Sequence, residues 1–180
     1  MKQSRPIIID ASVGVAIARS ETDGVAAAEA FRMWRRDRRT LMVPSLFWLE
    51  LANALLRRRG WKGSEVLRAV HELDGFELET IDLDRPAVVA AIHLSEQHGL
   101  TSYDATYLAL AESVEGDLLT FDAALRTAAG DRAISLGGHR LSEAPATYEY
   151  EVTWPNYKEA SAYLAKLRAE ALAGRLEARR

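Results

Sequence analysis

Four carboxylates stand where this sequence could do chemistry: Asp10, Glu50, Asp104 and Asp122. Asp10 ends a run of isoleucines, "PIIIDASVGVAI" at 6–17, where a buried strand gives way to an alanine-rich helix. Asp122 ends "DLLTF" (117–121) in the same way. Asp104 falls in the first turn of "TSYDATYLALAESV" (101–114). Taken singly, each has an ordinary reading. Asp is a favoured helix cap, and Thr101-Ser-Tyr-Asp104 approximates a capping box. Glu50 escapes this reading. It lies mid-helix in "PSLFWLELANALLRRR", beside the apolar stripe Phe47, Leu51, Ala54 and Leu55, with Asn53 on its own face. A carboxylate there needs a partner, because burying an unpaired charge is costly. An exposed glutamate paired with Arg57 is the plain alternative. If all four acids meet at one edge, they repel and raise one another's pKa. A divalent cation resolves that conflict. Oxygen donors in a chain with no cysteine point to Mg²⁺ or Mn²⁺.

The elements that must position these acids read as strands at 6–10, 40–44, 76–81, 117–121 and 132–136. Helices are expected at 11–19, 22–38, 45–59, 64–73, 84–99, 101–114 and 122–130. The first two helices are split near Glu21 to Gly24. Gly60 and Gly99 are expected helix stops. Strands alternating with helices predict an α/β fold, a three-layer sandwich on a mostly parallel central sheet. Such sheets bind ligands outside the carboxyl ends of their strands, where Asp10 and Asp122 fall. The expected domain is 1–138, followed at 139–180 by a linker and a C-terminal helical extension. Ala160, Tyr163, Leu164, Leu167 and Ala171 form that helix's apolar face. It docks on its own domain or makes a partner contact.

The chain has 180 residues, a net charge of −3 and no cysteine. A disulfide framework and a thiolate site are therefore excluded. No apolar run approaches a membrane span, and no signal-peptide pattern opens the chain, so a cytoplasmic protein without membrane contact is expected. The average charge does not advertise a nucleic-acid binder, yet "RMWRRDRR" (32–39) and "RRRGWK" (57–62) are strongly basic. Both also suit solvated helix ends. His71, His93, His98 and His139 stand outside the acidic segments and read as structural or exposed.

Four segments in order, "IIIDASVGVAI", "VPSLFWLELANALLRR", "GLTSYDATYLALAE" and "DLLTFDAAL", resemble the motifs of PIN-domain ribonucleases, most closely the VapC-type toxins of toxin–antitoxin pairs. The likeness covers about residues 5 to 137. It implies a Mg²⁺- or Mn²⁺-dependent endoribonuclease acting on single-stranded or looped RNA. The family's metal-binding acids carry over onto Asp10, Glu50, Asp104 and Asp122, and its polar residue two before the last acid onto Thr120. Ser12 and Asn53 match positions often polar near such a site. Arg57 and Arg58 are expected to contact phosphates, since an acidic site needs cations along its approach. The resemblance further implies a cognate antitoxin protein and a homodimer. Through Arg168, Arg175 and Arg179 the C-terminal helix is a candidate imitation of that inhibitor.

Other classes remain beside this one. The alternative is a non-catalytic module that keeps the fold to bind RNA or a partner. A haloacid-dehalogenase-type phosphatase would want an Asp at position 12, which holds Ser12. A dinucleotide enzyme would want G-x-G-x-x-G after the first strand, and "DASVGVAI" does not supply it.

Overall fold

The computed structural model describes residues 5–136, apart from the side chains of Arg58 and Arg59. The expected boundary at 138 and the C-terminal helix lie outside the described residues. Four parallel strands form one sheet in the order β3-β2-β1-β4: β1 (Ile7–Ile9), β2 (Leu41–Pro44), β3 (Glu79–Ile81) and β4 (Asp117–Leu119). The two central strands are apolar runs because both their faces are covered. Ile7, Ile8 and Ile9 are wholly buried.

Between β1 and β2 run α1 (Ala11–Ala18) and α2 (Thr22–Arg36). Between β2 and β3 run α3 (Leu46–Arg59) and α4 (Gly63–Asp74). These four pack on one another as one layer. Between β3 and β4 run α5 (Arg85–His98) and α6 (Ser102–Ser113), and α6 packs across β1, β2 and β4. The last helix is α7 (Ala123–Ala129). From β1 the chain moves outward through β2 to β3, then returns to place β4 on the other side of β1. The carboxyl ends of β1 and β4 thus bracket the switch point where such sheets bind ligands. Among the described residues, no helix is long and apolar enough to cross a membrane.

Several expectations are refined. The strand at 76–81 shortens to Glu79–Ile81 because Glu77 adopts φ 55 and turns the chain out of the sheet. The expected strand at 132–136 reduces to a single parallel bridge, Leu118 to Ala133. The 3-10 turn at Gly130–Arg132 precedes it, and one bond, Ile134 N to Leu118 O at 2.8 Å, holds it. Gly60 and Gly99 do end their helices, at φ 67 and φ 66.

The basic run at 32–39 lies where α2 turns into β2, at the amino edge of the sheet. Three of its five arginines serve the fold there. Arg35 pairs with Glu77, and Arg32 lies over the Phe76 ring. Arg39 donates to Arg5 O at 3.0 and 2.8 Å and to Asp117 Oδ2 at 2.6 Å, so it ties together the entries to three strands. Its side chain is only 20% exposed. Arg39→Ala is expected to destabilise the protein by about 1–2 kcal/mol, since charged hydrogen bonds at a partly buried site are lost. Urea unfolding measures this, and an unchanged midpoint would show the linkage to be dispensable.

Candidate active site

Helix capping places the acids. Asp10 is the N-cap of α1 and is 5% exposed. Its Oδ2 accepts from the Ser12 amide at 3.3 Å, from the Ser12 hydroxyl, and from Thr120 Oγ1 at 2.8 Å. Asp122 is the N-cap of α7, and its Oδ1 accepts from Leu125 N at 2.8 Å. The cap of α6 is Thr101. Its Oγ1 accepts from Asp104 N at 3.1 Å and donates to Asp104 Oδ2 at 2.7 Å.

The loops after β1 and β4 are sewn together by two hydroxyls. Ser12 Oγ accepts from Phe121 N at 3.0 Å while donating to Asp10. Thr120 Oγ1 accepts from Asp122 N at 3.0 Å while donating to Asp10. Each hydroxyl spends its proton on the carboxylate and its lone pair on the other loop. Asp10 and Asp122 are therefore linked through Thr120.

Glu50 arrives from α3, which begins at the carboxyl end of β2. It is half-buried, and its Oε2 accepts from the Tyr107 hydroxyl at 2.5 Å. Tyr107, not the alternative partner Arg57, makes that contact. Tyr107 is wholly buried and was not singled out from sequence. A signal existed: a phenol inside an apolar run, three residues after Asp104, must find a partner once buried.

Burial pushes the Asp10 carboxyl above its ordinary value, against the hydrogen bonds from Ser12 and Thr120, and the charge of Asp104 adds to the rise. Burial likewise raises Glu50, with further repulsion from Asp10 and Asp104. The charge of Asp104 thus reaches both Asp10 and Glu50. Burial and the Glu50 contact hold Tyr107 neutral, well above the usual phenol range.

Among the described residues, no three His, Asp or Glu side chains are gathered at metal-ligating spacing. The donor set nevertheless fits a hard cation: in Asp10, Glu50, Asp104 and Asp122 the hydrogen bonds fall on one oxygen only. The other oxygen of each is uncommitted among the described residues.

The remaining candidates are further out. Asn53 and Arg57 are exposed on α3. Arg57 lies two turns beyond Glu50, roughly 10 Å along the axis and away from the strand ends. The side chain of Arg58 lies outside the described residues, as does His139. His93 and His98 are exposed on α5.

The PIN domain family model matches residues 7–131. The chain belongs to the PIN-domain family. Ribonuclease VapC3 of Pyrobaculum aerophilum is 31% identical over 120 residues, which cover 64% of this chain and 88% of that protein. Two solved structures share the PIN-domain fold. The crystal structure of PAE2754 from Pyrobaculum aerophilum has a TM-score of 0.55 at 22% identity, covering 74% of this chain and 87% of that one. A toxin–antitoxin complex from Klebsiella pneumoniae has a TM-score of 0.56 at 15% identity, covering 72% of this chain and 97% of that one. In this PIN domain the Tyr107–Glu50 contact joins α6 to α3.

Proposed function

We propose that this PIN domain is a metal-dependent endoribonuclease, the toxin of a toxin–antitoxin pair. The carrying observation is the buried Asp10 at the switch point of the sheet, held by Ser12 and Thr120 from the loops after β1 and β4. The likeness to a protein named a ribonuclease, and to a chain in a toxin–antitoxin complex, supports the reading.

Asp10, Glu50 and Asp104 are the residues to hold Mg²⁺ or Mn²⁺, with Asp122 at the margin. The ion, when bound, supplies Lewis acidity at the phosphate and an activated water. Thr120 and Ser12 keep the Asp10 carboxylate in one orientation. Glu50, held through Oε2 by the Tyr107 hydroxyl, offers its uncommitted Oε1 to the ion. Asn53 and the arginines Arg57 and Arg58 extend the surface along which the RNA backbone lies. A cognate antitoxin, a homodimer, a cytoplasmic location and a separate C-terminal extension from 139 complete the proposal.

The test is cleavage of a panel of structured RNAs with Mn²⁺ or Mg²⁺. Cleavage should vanish on chelation and return on adding metal. Activity that survives exhaustive chelation would overturn the metal-dependent reading. Arg57→Ala should weaken RNA binding and reduce the slope of log affinity against log salt by about one phosphate contact. An unchanged slope removes Arg57 from the interface.

A further inference from the structure

We propose that Tyr107 is a positioning residue whose hydroxyl sets the orientation of Glu50 toward the ion shared with Asp10 and Asp104. The proposal rests on the metal-site reading above and adds a residue to it. Three features carry it. The ring is wholly buried, so the hydroxyl has one stable place. That hydroxyl donates to Glu50 Oε2 at 2.5 Å, which leaves Oε1 as the uncommitted oxygen. One phenol thus ties α3 to its own α6. On α6, Tyr107 follows Asp104 by three residues and shares its face. The same helix therefore presents Asp104 and restrains Glu50.

A glutamate has three rotatable bonds, and half-burial alone leaves Oε1 several directions. A charge-assisted bond to a fixed donor removes that freedom. Hydrogen-bond partners of ligands characteristically change metal affinity by about 10- to 100-fold.

Tyr107→Phe keeps the ring and removes only the hydroxyl. Mn²⁺ affinity, measured by calorimetry on the full chain, should fall about 10-fold or more. kcat for RNA cleavage should fall while KM for RNA holds. In a Glu50→Gln background the same substitution should change Mn²⁺ affinity less than about twofold, since its effect runs through the glutamate. Wild-type Mn²⁺ affinity in Tyr107→Phe overturns the proposal. So does an equal loss in both backgrounds, which marks a packing role. Asp10→Asn separates this from the underlying reading. If Asp10→Asn abolishes Mn²⁺ binding and Tyr107→Phe does not weaken it, the site stands and the positioning role falls. If wild type binds no Mn²⁺, both fall.

Discussion

Asp10→Asn is expected to lower RNA cleavage about 10³-fold and to leave the metal-free fold at least as stable as wild type. The activity loss follows from what the carboxylate contributes. A metal-assisted displacement draws several kcal/mol of charge stabilisation from its ion, and each 1.36 kcal/mol is about tenfold in rate. Removing the most buried of the proposed ligands would forfeit most of that. The stability expectation follows from burial. The folded pKa of Asp10 is raised above its ordinary 3.8, chiefly by desolvation. The folded state therefore binds the proton more tightly than the unfolded chain. Stability associated with this group is present below the unfolded pKa and is lost as pH rises through the folded one. Glu50 acts in the same direction. The amide that replaces the carboxyl would carry no such loss and still offers an oxygen to Ser12 and Thr120. Urea unfolding in chelator at pH 5 and pH 8 should show the variant gaining on wild type toward the higher pH. Cleavage by the variant equal to wild type would overturn the functional reading. A variant less stable at pH 8 than at pH 5, relative to wild type, would show that the hydrogen bonds outweigh burial.

Gly24→Ala is expected to destabilise the protein by about 3 kcal/mol or more, at the top of the usual range for overpacking. An added Cβ would lie 2.1 Å from Ala16 O and 2.6 Å from Ile17 N. Those are backbone atoms of α1, which cannot swing aside as a side chain does. Relief requires α1 and α2 to part, and α1 is the helix that Asp10 caps. Gly63→Ala is the control. Nothing lies within 4 Å of its added Cβ, so it should be neutral or stabilising by up to about 1 kcal/mol. Denaturant midpoints of the two variants decide the matter. Equal midpoints would mean that the helices yield freely at Gly24.

Gly24 also shows where sequence reasoning stops. Beside Glu21 and Thr22 it reads as a break between helices. In the structure it lies inside α2 and is needed for a close helix approach. The same division runs through the candidate site. Asp10 and Asp122 as caps, Thr101 with Asp104, and the stops at Gly60 and Gly99 all depend on neighbours within one helical turn. Those were legible. The basic run at 32–39 was legible as a cluster, but its place at the far edge from the acids follows from the direction of α2 in the sheet.

What the sequence by itself determined was the order and type of the elements, the strand expected at 132–136 excepted, and the positions of Asp10, Asp104 and Asp122 at helix starts, because periodicity and capping are short-range. What only the tertiary structure decided was which oxygen each acid commits. Thr120 reaches Asp10 across 110 residues of chain, and Tyr107 reaches Glu50 across 57. Contacts at that separation have no local signature: they exist only once β4 lies beside β1 and α6 closes over the sheet.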